Sequence, residues 1–212
     1  MEMRGIDVSK FNYISNYDLV AKNCDFVIVR AGGSDNANPL GFYKDGSFEE
    51  KYRQLSRRGV PLGAYYVVGH KFTTEADGEI QARNFVGLIR GKKFDFPLFL
   101  DYEVPTPAAR HDGTTAAIAF CRTLEKLGYY ASIYASDISG FKERLELDRL
   151  TAFDKWVARY GTKPKVVTKY GIWQYTSTGR TEGVNGNVDM NICYIDYPDV
   201  IRKAGLNHLE RR

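Results

Sequence analysis

The sequence predicts an α/β fold: one closed barrel, begun by about five βα units and finished by about three further strands. Three observations carry this. Strand and helix signals alternate along the first two thirds of the chain. Several strands are unbroken apolar runs, as strands buried on both faces must be. The rhythm then changes to strands whose connections are too short or too Gly-rich for helices. At 212 residues the chain can build one such barrel with a full core.

The elements follow in order. Residues 5–9 (GIDVS) form a short strand and 16–24 a first helix. Residues 26–31 (FVIVRA) are a continuous apolar strand. Ser47 caps a helix over 48–58, and Gly59 stops it. A strand at 61–68 (PLGAYYVV), a helix at 73–89 and a strand at 96–104 (FPLFLDYEV) come next. A helix at 114–127 stops at Gly128, a strand covers 130–135 (YASIYA), and 139–153 reads as a fifth helix. Residues 155–159 (KWVAR), 170–175 (YGIWQY) and 188–193 (VDMNIC) are the closing strands, expected to be antiparallel. Residues 179–187 form a hairpin loop. No linker or low-complexity tract divides the chain, so residues 1–205 read as one barrel domain and 206–212 as a tail.

Bulk properties exclude several functions. The net charge is +4, and its basic residues are scattered, whereas a nucleic-acid binder gathers them into a stripe. The mild basic excess suits an anionic polymer such as a bacterial wall. Three cysteines, far apart, give neither a disulfide framework nor a zinc pattern. His70, His111 and His208 form no ligand set, and no glycine-rich phosphate loop is present, so no metal or cofactor is expected. No apolar run approaches about 18 residues, which argues against membrane insertion. The opening MEMRGIDVSKF lacks the apolar core of a signal peptide. Nothing in the sequence sets an oligomeric state.

The chemistry concentrates in residues 96–104. Side chains two apart on a strand share a face, so Asp101 and Glu103 emerge together, about 7 Å apart along the backbone. Like charges that close raise one pKa, so one carboxyl can stay protonated and act as an acid, as glycoside hydrolysis requires. In barrels the C-terminal strand ends form the active face. Four acids would converge there as catalytic candidates: Asp7, Asp101, Glu103 and Asp189. Arg30, Tyr65, Tyr134, Trp173, Gln174 and Asn191 fall at matching strand ends and are the candidate sugar-binding residues. Taken singly, Asp7 and Asp189 suit a cap or a turn just as well, and the aromatics suit a core. Their equivalent positions in one repeating architecture favour a shared site.

The motifs GIDVS, FVIVRAG, PLGAYY, LDYE, ASIYAS, WVARYG and IWQYTSTG followed by VDMN run nearly end to end. In this the chain resembles the family 25 lysozymes, the Chalaropsis-type muramidases that include many phage endolysins. The resemblance implies a flattened, TIM-like (β/α)5(β)3 barrel. It implies hydrolysis of the β-1,4 bond between N-acetylmuramic acid and N-acetylglucosamine in cell-wall peptidoglycan, without a cofactor. By the same resemblance Glu103 is the general acid, Asp101 the acid beside it, and Asp7 and Asp189 two further carboxylates of the cleft; the oxocarbenium charge is then met either by an Asp, with Asp7 and Asp189 the candidate nucleophiles, or by the substrate's own 2-acetamido group oriented by Asp101. It also implies an enzyme held in the cytoplasm of an infected or lysogenic host until release to the wall, or an extracellular one. A chitinase-like hydrolase would carry a longer DxxDxDxE run, which is missing before Glu103. An inactive wall-binding protein would be expected to have lost the acid, and Glu103 is present.

Overall fold

The computed structural model describes residues 2–35, 38, 41–103 and 110–210. Eight strands close a barrel: β1 (Met3–Val8), β2 (Phe26–Ser34), β3 (Leu62–Val67), β4 (Leu98–Asp101), β5 (Ala131–Ser136), β6 (Asp154–Ala158), β7 (Ile172–Gly179) and β8 (Val188–Cys193). Strands β1 to β7 run parallel, each paired with the next in chain order. Only β8 is antiparallel; it pairs with both β7 and β1 and seals the wall. Short strands at Tyr13–Ile14 and Val184–Asn185 pair as a separate ribbon, and Phe42–Lys44 pairs with the end of β2.

Helices α1 (Tyr17–Asn23), α2 (Phe48–Ser56), α3 (Glu75–Ile89) and α4 (Arg110–Lys126) cover the outside. The caps of α1 and α3 are local, whereas Ser47, expected to cap α2, makes no side-chain cap bond and instead donates to Asp45. The Asn16 side chain accepts from Asp18 and Leu19 N–H, and Thr74 and Asp77 form a reciprocal capping box. Each helix turns a buried face to the barrel, with Val20, Leu55, Phe85 and Phe120 among the residues in the intervening layer.

The parallel run extends two strands beyond expectation, and the fifth helix is missing. Residues 139–153 instead hold a π-helical turn at Asp137–Lys142 and a 3-10 turn at Leu147–Leu150. The buried apolar residues Phe141, Leu145, Leu150 and Phe153 imitate a helical pattern. The β6–β7 crossover is made by an irregular loop. Such a loop survives because the buried Asp137 carboxylate accepts N–H bonds from Lys165, Val166 and Val167 and pairs with Arg159 at 2.7 Å. The carboxylate replaces the hydrogen-bond partners a helix would have supplied.

A second departure lies at the C-terminus. Helix α5 (Tyr197–Ala204), not foreseen in the sequence, plugs the barrel end opposite the C-terminal strand ends. Tyr197 packs 5.6 Å from the rings of both Phe96 and Tyr130. The start of the expected tail is docked as well, through Asn207 and Leu209. Asn207 is fully buried in a left-handed conformation (φ 54). It donates to Phe94 and Phe96 carbonyls at 3.0 and 2.9 Å and accepts from Tyr130 N–H at 2.8 Å. Asparagine is among the few residues that tolerate that backbone while supplying both donors and an acceptor.

Inside the barrel, rings stack upward from this plug. Phe26 lies on Phe96 at 4.5 Å, Phe99 on Trp156 at 5.0 Å and Tyr134 on Trp156 at 4.4 Å. Above the rings the interior turns polar: Asp7, Asp101, Gln174 and Asn191 are all buried there.

Asn207→Ala strands two carbonyls and an amide in the interior. It is expected to cost roughly 2–3 kcal/mol and to lower the melting temperature by about 5–10 °C for a chain of this size. Denaturant unfolding measures it, and a loss under about 0.5 kcal/mol would show that this segment contributes nothing to the fold.

Candidate active site

The polar mouth is assembled from facing strand ends. Asp7 on β1 and Asp189 on β8 are direct partners in the antiparallel ladder. Such partners have Cβ atoms about 4.5–5.5 Å apart. Asp101 ends β4 in register with Tyr134 on β5. Tyr102 N–H continues the pairing to Tyr134 O at 2.9 Å, which carries Glu103 just beyond the strand. Tyr102 itself is buried on the other side, against Phe72. Glu103 is open to solvent while Asp101, two residues earlier, is 4% exposed. The strand-face argument therefore yields one deep carboxyl and one at the surface of the cleft.

The electrostatics follow from crowding and burial. Burial lifts the Asp101 carboxyl well above its ordinary range; Glu103 and then Asp7 push it further, and the Arg30 guanidinium pulls it back. Among the described residues its Oδ1 is buried with no hydrogen-bond partner. Asp7 is pushed up to about 7, by burial first and by Asp189 next, and is moderated by hydrogen bonds from Asn191 and Gln174. Glu103 is raised by burial and by Asp189, against a Tyr134 hydrogen bond and the Arg144 charge. Asp189 is raised by burial. From the sequence either of the two adjacent carboxyls could carry the raised pKa. The heavier load falls on Asp101, because it sits deeper.

The other sequence candidates divide into two groups. Tyr65, Tyr134, Gln174 and Asn191 line the buried interior beneath and beside the acids. Arg30 is held by Asp45 at 2.8 Å, with the exposed ring of Phe11 5.1 Å from its guanidinium. Trp173 alternates with Ile172 and Gln174, so it lies on the outer face of β7, where its indole donates to Arg159 O at 2.7 Å. Tyr66 likewise faces outward, bonded to Gln81 and packed on Phe85 and Phe120. Sequence reasoning passed over Tyr160, Phe11, Asp45 and Arg144. Tyr160 stands in the motif WVARYG and donates to Gln174 Oε1 at 3.2 Å. A groove of about 660 Å³ at the opposite end of the barrel, beside Tyr170 and Tyr194, holds none of these four acids.

A closed α/β barrel with carboxyls clustered at the mouth formed by the C-terminal ends of its parallel strands can carry the acid chemistry of a glycosidase. The family model for glycosyl hydrolases family 25 matches residues 6–184. The chain belongs to that family. Lysozyme M1 of Streptomyces globisporus is 25% identical over 203 residues, covering 89% of this chain and 67% of its own. The CTP1L endolysin structure superposes with a TM-score of 0.79 at 26% identity, covering 94% of this chain and 69% of that one. The catalytic domain of endolysin ply40, from bacteriophage P40 of Listeria monocytogenes, gives 0.74 at 27% identity, covering 95% and 97%. The protein is a glycosidase of the lysozyme type.

The raised Asp101 pKa makes a stability prediction. A carboxyl with a raised folded pKa stabilises the fold most below its unfolded value near 4, and that contribution is lost as pH rises toward the folded value. Asp101→Asn removes the titration. It should melt roughly 3–6 °C above wild type at slightly alkaline pH, with the gap closing toward about pH 4. Calorimetry across that range is the check, and equal melting temperatures on the alkaline side would mean Asp101 carries no such burden.

Proposed function

We propose that the enzyme hydrolyses the β-1,4 bond between N-acetylmuramic acid and N-acetylglucosamine in peptidoglycan. Glu103 is the general acid and Asp101 orients the 2-acetamido group. The observation that carries this reading is the unpartnered Oδ1 of Asp101, buried two residues before a solvent-open Glu103. A buried acceptor without a donor costs about 1–3 kcal/mol. An acetamido N–H from the substrate supplies that donor, which would hold the acetamido oxygen against the anomeric carbon.

Glu103 is placed to give its proton to the glycosidic oxygen, since its pKa is raised and it is the acid open to the cleft. Asp7 and Asp189, side by side on β1 and β8, supply negative field to the developing oxocarbenium ion from a different part of the wall. The exposed rings of Phe11 (78%) and Tyr160 (54%) suit stacking against sugar faces. Action on a wall polymer places the working enzyme at the cell wall, whatever route takes it there.

Glu103→Gln keeps the shape and removes the proton. Lysis of bacterial walls, followed by turbidity, should fall about 10²-fold or more with circular dichroism unchanged. Mass spectrometry of the wild-type digest should show new reducing ends on N-acetylmuramic acid. Near-normal lysis by the variant, or reducing ends on N-acetylglucosamine, would overturn the assignment.

A further inference from the structure

Asp7 is 5% exposed, yet it accepts two hydrogen bonds, from Gln174 Nε2 and Asn191 Nδ2, each at 2.9 Å. Both end on Oδ2. An amide can turn either its NH2 or its oxygen toward a carboxylate, and turned the wrong way it would repel the charge. For Asn191 the structure removes that freedom. The indole N–H of Trp156 meets Asn191 Oδ1 at 2.8 Å. Indole is a donor only, so Asn191 must present its oxygen to Trp156 and its NH2 to Asp7. Gln174 Oε1 accepts from the hydroxyls of Tyr134 at 2.9 Å and Tyr160 at 3.2 Å; a hydroxyl can also accept, so these contacts suit an NH2 turned to Asp7 without dictating it. The two amides and the indole belong to adjacent strands: Asn191 pairs with Gln174 across β8 and β7, and Trp156 lies on β6.

We infer that Trp156, Asn191 and Gln174 are positioning residues for Asp7: they preset a donor cradle on Oδ2 and leave Oδ1 as the oxygen that faces the sugar. This rests on the glycosidase reading given above and reassigns Gln174 and Asn191, which the sequence had grouped with the sugar-binding residues. The cradle is what lets a carboxylate exist at all in this buried position, because each correctly turned N–H favours the charged form. Tyr134 adds a link to the acid. Its hydroxyl is also within hydrogen-bonding reach of Glu103. One proton cannot serve Glu103 and Gln174 together, and Tyr160 is in place to hold Gln174 when Tyr134 turns to Glu103. The Trp156–Asn191 arm has no such second contact to the acid, so it is the cleaner arm to test.

The groups that face Asp7 are Asp189 from β8, Asp101 and Glu103 from β4 and its end, Tyr65 from β3, Tyr134 from β5 and Tyr160 beyond β6; Arg30 on β2 acts on the cluster through Asp101 and Tyr65. Weakening the cradle leaves all of these in place. Trp156→Phe frees the Asn191 amide, and Asn191→Leu removes it. In both variants the acid-side limb of the kcat profile should move to higher pH. Activity one pH unit below the wild-type midpoint should fall about 3–10-fold, with recovery toward the alkaline side and KM within about twofold. The carboxyl titration of Asp7, followed by carbon-13 NMR on the folded proteins, should move upward in step. A purely structural role would lower the melting temperature and leave both titrations in place; a sugar-binding role would raise KM at every pH. Either result overturns the proposal. Absence of lysis by wild type at any pH would sink the glycosidase reading alone, because the Asp7 titration still reports on the cradle.

Discussion

Four carboxyls are crowded into one barrel mouth, and the surrounding structure is arranged to bear their mutual repulsion. Asp7, Asp101, Glu103 and Asp189 are all raised above their ordinary range, with burial the first cause in each case. Like charges at these separations, away from bulk water, cannot all ionise at neutral pH. Protons must remain in the cluster, and donors must be placed where charge is to be tolerated. Arg30 acts on Asp101, two amides act on Asp7, and Tyr134 and Arg144 act on Glu103. Acid catalysis needs a proton held this way until a leaving group arrives.

The fold supplies rigidity for this arrangement. Ring stacking from Phe26 and Phe96 up to Trp156 and Tyr134 fills the barrel, and α5 with the Asn207 anchor closes its base. The acids therefore rest on packed aromatics instead of solvent. Trp156 serves both ends of this scheme. Its ring belongs to the core, and its N–H turns the Asn191 amide. Packing and electrostatics are joined in one side chain, so core substitutions here should be felt in the chemistry.

Much of this was legible in the sequence. The apolar runs of β2, β3 and β4 marked parallel strands, and the spacing of Asp101 and Glu103 put them on one face. The convergence of Asp7 and Asp189 followed from barrel geometry, and the ladder makes them direct neighbours. What was hidden depended on partners far away in the chain. Residues 139–153 read as a helix because Phe141 and Leu145, then Leu150 and Phe153, sit four and three residues apart, while the buried Asp137 that supports the following loop gives no local signal. Helix α5 went unread, and Asn207 read as part of a tail, because their partners Phe94, Phe96 and Tyr130 lie far away in the chain. Trp173 looked like a sugar platform, yet strand alternation sends it outward and Gln174 inward. The division between a deep Asp101 and an open Glu103 depends on where β4 stops, which periodicity alone does not determine.

The crowding of this cluster leads to one expectation above the rest: a proton stays on its most buried carboxyl while the enzyme is at rest. Neutron diffraction from deuterated crystals at neutral to slightly alkaline pH locates that proton directly. The account predicts a deuteron on Asp101, together with Asn191 and Gln174 N–D groups directed at Oδ2 of Asp7. A bare, ionised Asp101 would contradict it.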